Sequence, residues 1–184
     1  MKLKQIEEMV ELYYNSNQFV HTLQFLEQAF EAPFTMYEAL ATFYEQEGYF
    51  VNSPARSYRY HVLLAFACKY DKAHADVYKE LLTYDMYLRE NLKSRPDFAC
   101  DLQAHKEFLR SFYKQEEETR SYLSAYTTYD SKQLARMTHL EPFYYNVWDK
   151  LYRENIKVLP KPIYVLFDYQ ERSPLTGEAK TVVV

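Results

Sequence analysis

Glycine is nearly missing from this chain. Gly48 and Gly177 are the only two in 184 residues, where average usage of ~7% would give roughly a dozen. Glycine lets a backbone take positive φ and pass close to a ligand. Without it there is no GxGxxG dinucleotide turn, no GxxxxGK[ST] phosphate loop and no GxSxG nucleophile elbow. Cysteine is almost as scarce. Cys68 and Cys100 are too few for a disulfide framework and read as reduced thiols of a cytoplasmic protein. The histidines His21, His61, His74, His105 and His139 form neither HxxxH nor HExxH, and the cysteines form no CxxC, so no metal site is expected. No Ser, Cys or Thr sits in a recognisable activated context. No apolar run approaches the ~18 residues of a membrane span. The opening MKLKQIEE turns acidic where the apolar core of a secretory leader would begin. A net charge of −4 gives no general attraction to nucleic acid or anionic lipid. The one basic-aromatic stretch, residues 55–61 (ARSYRYH), reads as a solvated helix face.

What is abundant is aromatic: 20 Tyr, 12 Phe and one Trp. Such rings bury large areas while tyrosine hydroxyls find partners. Most of the chain has helical periodicity. Leu3, Ile6, Val10 and Tyr13 mark a first helix, and Phe19, Leu23, Leu26 and Phe30 a second that stops before Pro33. Thr35-Met36-Tyr37-Glu38 fits a capping box opening a third helix, which ends at Gly48 as a C′ glycine. Ser53-Pro54 reads as N-cap and N1 of a fourth. The fifth runs over residues 74–91. The sixth runs from Phe98 to about Tyr126, because Glu116-Glu117-Glu118 would sit badly against the negative end of a helix dipole.

After Asp130 the pattern changes. Residues 137–147 (MTHLEPFYYNV) and 163–169 (IYVLFDY) read as strands, Ser173 to Gly177 as a turn, and residues 181–184 as a return strand. The expected fold is therefore α+β and mainly α: one domain over 1–184, a helical bundle through 126 followed by a small antiparallel β-sheet over 130–184.

Two pairs at i,i+4 are candidate structural charge pairs, Asp85 with Arg89 and Asp168 with Arg172. The aromatic content exceeds what a small core needs, which predicts an exposed docking patch. Its candidates are Tyr84, Tyr87, Phe143, Tyr144 and Tyr145. The residues single out no catalytic, cofactor-binding or metal-ligating side chain.

Residues 3–19 (LKQIEEMVELYYNSNQF), Pro33-Phe34, residues 84–96 (YDMYLRENLKSRP) and residues 167–179 (FDYQERSPLTGEA), taken in order, resemble the uncharacterised C-terminal domain of bacterial cobalamin-binding radical SAM proteins. These proteins are often labelled as similar to the anaerobic magnesium-protoporphyrin monomethyl ester cyclase. The resemblance implies a parent chain with a B12-binding domain and a radical SAM barrel, whose cofactors are cobalamin, S-adenosylmethionine and a [4Fe-4S] cluster held by CxxxCxxC. This segment lacks that motif. The resemblance thus implies a non-catalytic accessory domain whose partners are the barrel and the B12-binding domain of the same chain, with neither nucleic acid nor membrane. The alternative from the residues is a freestanding helical module that binds a protein or peptide.

Overall fold

The computed structural model describes residues 2–184. Among them seven α-helices precede a three-stranded antiparallel sheet, so the fold is α+β and mainly helical, as expected. The helices are α1 (Lys2–Met9), α2 (Val20–Leu26), α3 (Pro33–Gln46), α4 (Arg59–Tyr70), α5 (Ala75–Arg89), α6 (Lys106–Thr119) and α7 (Ser131–Met137). The strands are β1 (Thr138–Phe143), β2 (Ile163–Arg172) and β3 (Ala179–Val183). The chain divides into two compact units: the residues up to Asp85 with Tyr145–Lys157, and Met86–Tyr144 with Val158–Val184. The division falls inside α5 rather than between the helices and the sheet.

The first unit is built on aromatic packing. α1 runs on as a π-helix over Val10–Asn15, which carries Tyr13 into the core. The Tyr13 and Tyr44 hydroxyls meet at 2.6 Å, so two buried polar groups satisfy each other. The Phe19 ring lies 5.0 Å from Tyr13 and 4.5 Å from Tyr60. α3 ends as the sequence predicts. Gly48 takes φ +71°, its N–H donates to Glu45 O, and the Tyr49 N–H reaches back to Tyr44 O, the two bonds of a Schellman motif.

The starts of α3 and α4 differ from expectation. Pro33 opens α3 at N1, and Thr35 is N3, its Oγ1 accepting from the Ala32 N–H at 3.2 Å and donating to Ala32 O at 2.7 Å. A proline followed two residues later by a back-bonding threonine imitates an N-cap signal three residues too late. Ser53-Pro54 opens no helix. Pro54 is buried in an irregular stretch, and α4 begins at Arg59 after a turn in which the Tyr58 and Arg59 N–H groups donate to Ala55 O.

In the second unit, β1 pairs with β2 and β2 with β3, both antiparallel, with Leu140 opposite Leu166 and Leu166 opposite Val182. Tyr164 to Asp168 are all buried, so both faces of β2 are covered there. Its core joins Phe112, Tyr113, Leu123, Tyr126, Leu134, Leu140, Tyr164 and Leu166. α6 begins at Lys106 and stops at Thr119, short of the expected Tyr126, where Arg120 takes φ +53°. Two of the three glutamates find donors beyond the helix end. The buried Glu116 carboxylate accepts from the Tyr122 and Leu123 N–H groups, both at 2.9 Å. Glu117 accepts from Ser131 N–H at 2.9 Å. They satisfy backbone donors of the next segment, and that stabilises acids at this position. α7 was not expected. Its signal is a capping box: Asp130 accepts from Gln133 N–H at 2.8 Å and Gln133 returns a bond to Asp130 N–H at 2.9 Å.

Candidate functional site

The densest convergence of chemistry-bearing side chains lies in the second unit, between β1 and the irregular segment 90–102. Strand alternation places His139 and Glu141 on one face of β1. Glu141 is 1% exposed. Arg95, from the irregular segment, grips it with both terminal nitrogens, at 2.5 Å to Oε2 and 2.7 Å to Oε1. His139 Nε2 meets the same Oε2 at 2.6 Å. Arg95 also donates to the Cys100 carbonyl at 2.8 Å and to the Tyr87 hydroxyl at 3.3 Å. The Tyr87 ring stacks on His139 with centroids 3.7 Å apart.

Burial alone would raise the Glu141 pKa, but the hydrogen bonds from Arg95 and His139 hold it below the ordinary 4.5. Burial opposes charge on Arg95, and Glu141 more than offsets that, so its pKa is raised. Burial first, then the Glu141 charge, pushes the Tyr87 hydroxyl to about 12. Both Glu141 oxygens are occupied. The cluster therefore clamps the 90–102 segment to the sheet rather than offering a base to a substrate.

The first unit holds two comparable acids. Asp85 is 2% exposed. It accepts from the His21 N–H at 3.1 Å, the Thr22 N–H at 2.9 Å and the Thr22 hydroxyl at 2.7 Å, with His21 Nδ1 at 2.9 Å. It thereby caps the start of α2. Asp71 meets His74 Nδ1 at 2.8 Å, Arg153 at 2.9 Å and the Tyr78 hydroxyl at 2.8 Å.

The expected charge pairs do not form. Asp85 is taken by the open N–H groups of α2, while Arg89 donates to Thr176 O at 2.8 Å and faces Glu178 at 3.5 Å. Asp168 accepts from the Tyr126 hydroxyl and from Gln170 N–H. Arg172 donates to Arg89 O and Gly177 O. Asp168 and Arg172 both lie on β2, where four residues span ~13 Å. The i,i+4 rule belongs to helices.

The expected docking patch is mostly buried. Tyr84, Tyr87 and Phe143 are 4%, 1% and 0% exposed, and only Tyr144 and Tyr145 keep partial exposure. The first three rings went into the cores, while Tyr14, Phe34, Tyr58 and Tyr152 are among the rings that stay exposed. Arg95, His139 and Glu141 were not singled out from the sequence. The available signal was Glu141 itself, a lone acid inside an apolar strand that had to find partners.

Among the described residues no group of three His, Cys, Asp or Glu side chains could hold a metal ion. Nor is any helix among the described residues long and apolar enough to cross a membrane. Searches of curated proteins and of solved structures returned no match. Residues 1–167 match the family described as a protein of unknown function, DUF4080, and the chain belongs to that family.

Proposed function

We propose that this chain is the non-catalytic accessory C-terminal domain of a cytoplasmic cobalamin-binding radical SAM enzyme, packing on the barrel and shaping access of substrate to it. The observation that supports the reading is what the resembling segments do. In residues 84–96 the polar side chains Asp85, Tyr87, Arg89 and Arg95 all bond inward to framework partners. In residues 167–179, Asp168 does the same, and the exposed Arg172 braces the turn through Arg89 O and Gly177 O. The shared pattern is one that holds a scaffold. The cluster chemistry belongs elsewhere in the parent, since this chain has two cysteines, one in each unit. A radical SAM cluster needs three.

The test has two arms. The reading frame that encodes this segment should also encode a CxxxCxxC motif ahead of it. The parent truncated before this domain should lose turnover and regain it when the domain is added back. A frame without the motif, or a truncated parent with full activity and no association at micromolar domain, replaces this reading with that of a freestanding interaction module.

A further inference from the structure

The two edges of the sheet are built differently. The Val184 N–H donates to Tyr164 O at 2.8 Å, which makes residues 164 and 184 a hydrogen-bonded pair. Antiparallel ladders alternate such pairs every two residues. Val182 and Lys180 therefore also turn their backbone groups toward β2. Thr181 and Val183 turn theirs to the outside. By the same alternation β1 turns Thr138, Leu140 and Pro142 outward. Its edge is blunted: the Thr138 N–H bonds Leu134 O, and Pro142 has no N–H. On β3, among the described residues, Thr181 and Val183 have no second backbone partner.

β3 also lacks the devices that protect an edge. Thr181, Val182, Val183 and Val184 run without proline or bulge, and Val183 is 46% exposed. The bulge of this hairpin lies lower, between Asp168 and Arg172. The one charge on the strand, Lys180, is engaged with Glu171 at 2.7 Å. We infer that β3 pairs with β3 of a second copy, antiparallel about a two-fold axis at Val182, joining two sheets into one of six strands.

The strand is self-complementary in that register. Thr181 faces Val183 of the second copy, and Val183 faces its Thr181, as two hydrogen-bonded pairs of β-branched residues. Val182 meets its own copy. Lys180 lies opposite Val184 of the second copy, so the two lysines stay apart. A parallel pairing would set lysine against lysine. One short strand buries less than the ~1,200 Å² of a stable interface, so association is weak and rises with concentration.

Sedimentation of the full chain from micromolar to millimolar concentration tests this, with amide hydrogen exchange at both ends of the range. The expected result is a monomer–dimer equilibrium in which the Thr181 and Val183 amides gain protection with concentration while those of Lys180 and Val182 do not. Thr181→Pro removes an outward N–H without touching the ladder to β2, and Val183→Lys sets a charge on the edge. Both should stay monomeric with unchanged circular dichroism. A wild-type monomer throughout the range overturns the inference, as does association that both variants leave intact. Thr181 and Val183 amides already protected in dilute monomer, or a monomer that instead captures an extended peptide, overturn it too.

Discussion

Asp85 of the first unit and Glu141 of the second are buried by opposite means. In the first, Asp85 meets the start of a helix, where the His21 and Thr22 N–H groups have no intrahelical acceptor. Backbone and hydroxyl donors supply three of its four partners. In the second, Glu141 sits mid-strand, where the ladder to β2 has already taken the backbone groups. It draws its partners from side chains, the Arg95 guanidinium and the His139 ring. Helices leave donors at their ends and sheets consume theirs. Glu141 therefore depends on a cation arriving from elsewhere in the chain.

That contrast can be broken most forcefully at Glu141. Glu141→Ala leaves the half-buried Arg95 charge without its partner, an effect of about 3–5 kcal/mol for a broken buried pair. Urea denaturation should show the midpoint falling accordingly. Trp148, the only tryptophan, belongs to the first unit. Its fluorescence midpoint moving less than the circular dichroism midpoint would show that the second unit loosens first. Identical midpoints would show that the two unfold together.

Asp85→Asn is the matching change in the first unit. One carboxylate oxygen becomes a neutral acceptor and the other an NH2 group that cannot accept, so the donors facing it lose their partner and about 1–3 kcal/mol is expected. A loss larger than that of Glu141→Ala would contradict the contrast drawn between helix ends and strands.

Acid sharpens the same comparison. The folded Glu141 pKa lies below the ordinary 4.5, so its contribution is complete above about that pH and is lost as pH falls through the folded value. The stability difference between wild type and Glu141→Gln should be flat from neutrality to about 4.5 and shrink below it. A difference that grows on acidification would mean that Glu141 is not the group held ionised.

The smallest effects sit at helix ends, one in each unit. Asp130→Ala removes the α7 cap and should cost about 1 kcal/mol. Gly48→Ala should cost about as much, about 1–2 kcal/mol, through backbone strain at φ +71° alone, since no atom lies within 4 Å of the added methyl. Thermal unfolding resolves both, and hydrogen exchange should place each loss in its own unit.

The helices of the first unit were legible because their periodicity and the Gly48 cap are local. α5 was found within two residues at each end, with Val77, Leu81, Tyr84 and Leu88 buried as its spacing required. The IYVLFDY strand was found for the same reason. The end of α6 is not legible locally, because the fate of Glu116 depends on Tyr122 and Leu123 folding back to it. A helix-dipole argument sees only the helix. Asp168 and Arg172 do not pair because i,i+4 neighbours meet on a helix and not along a strand.

The candidate cluster was invisible for a further reason. Arg95 and Glu141 are 46 residues apart, and no local pattern joins them. Aromatic content, alternation and caps, all present in the chain order, were enough to set the fold class and most elements, since each acts over a few residues. Which rings ended in a core, which acid met which cation, and which strand was left with open backbone groups were settled by long-range packing. Those outcomes depend on what else arrives to compete for each donor, and a linear pattern does not record it.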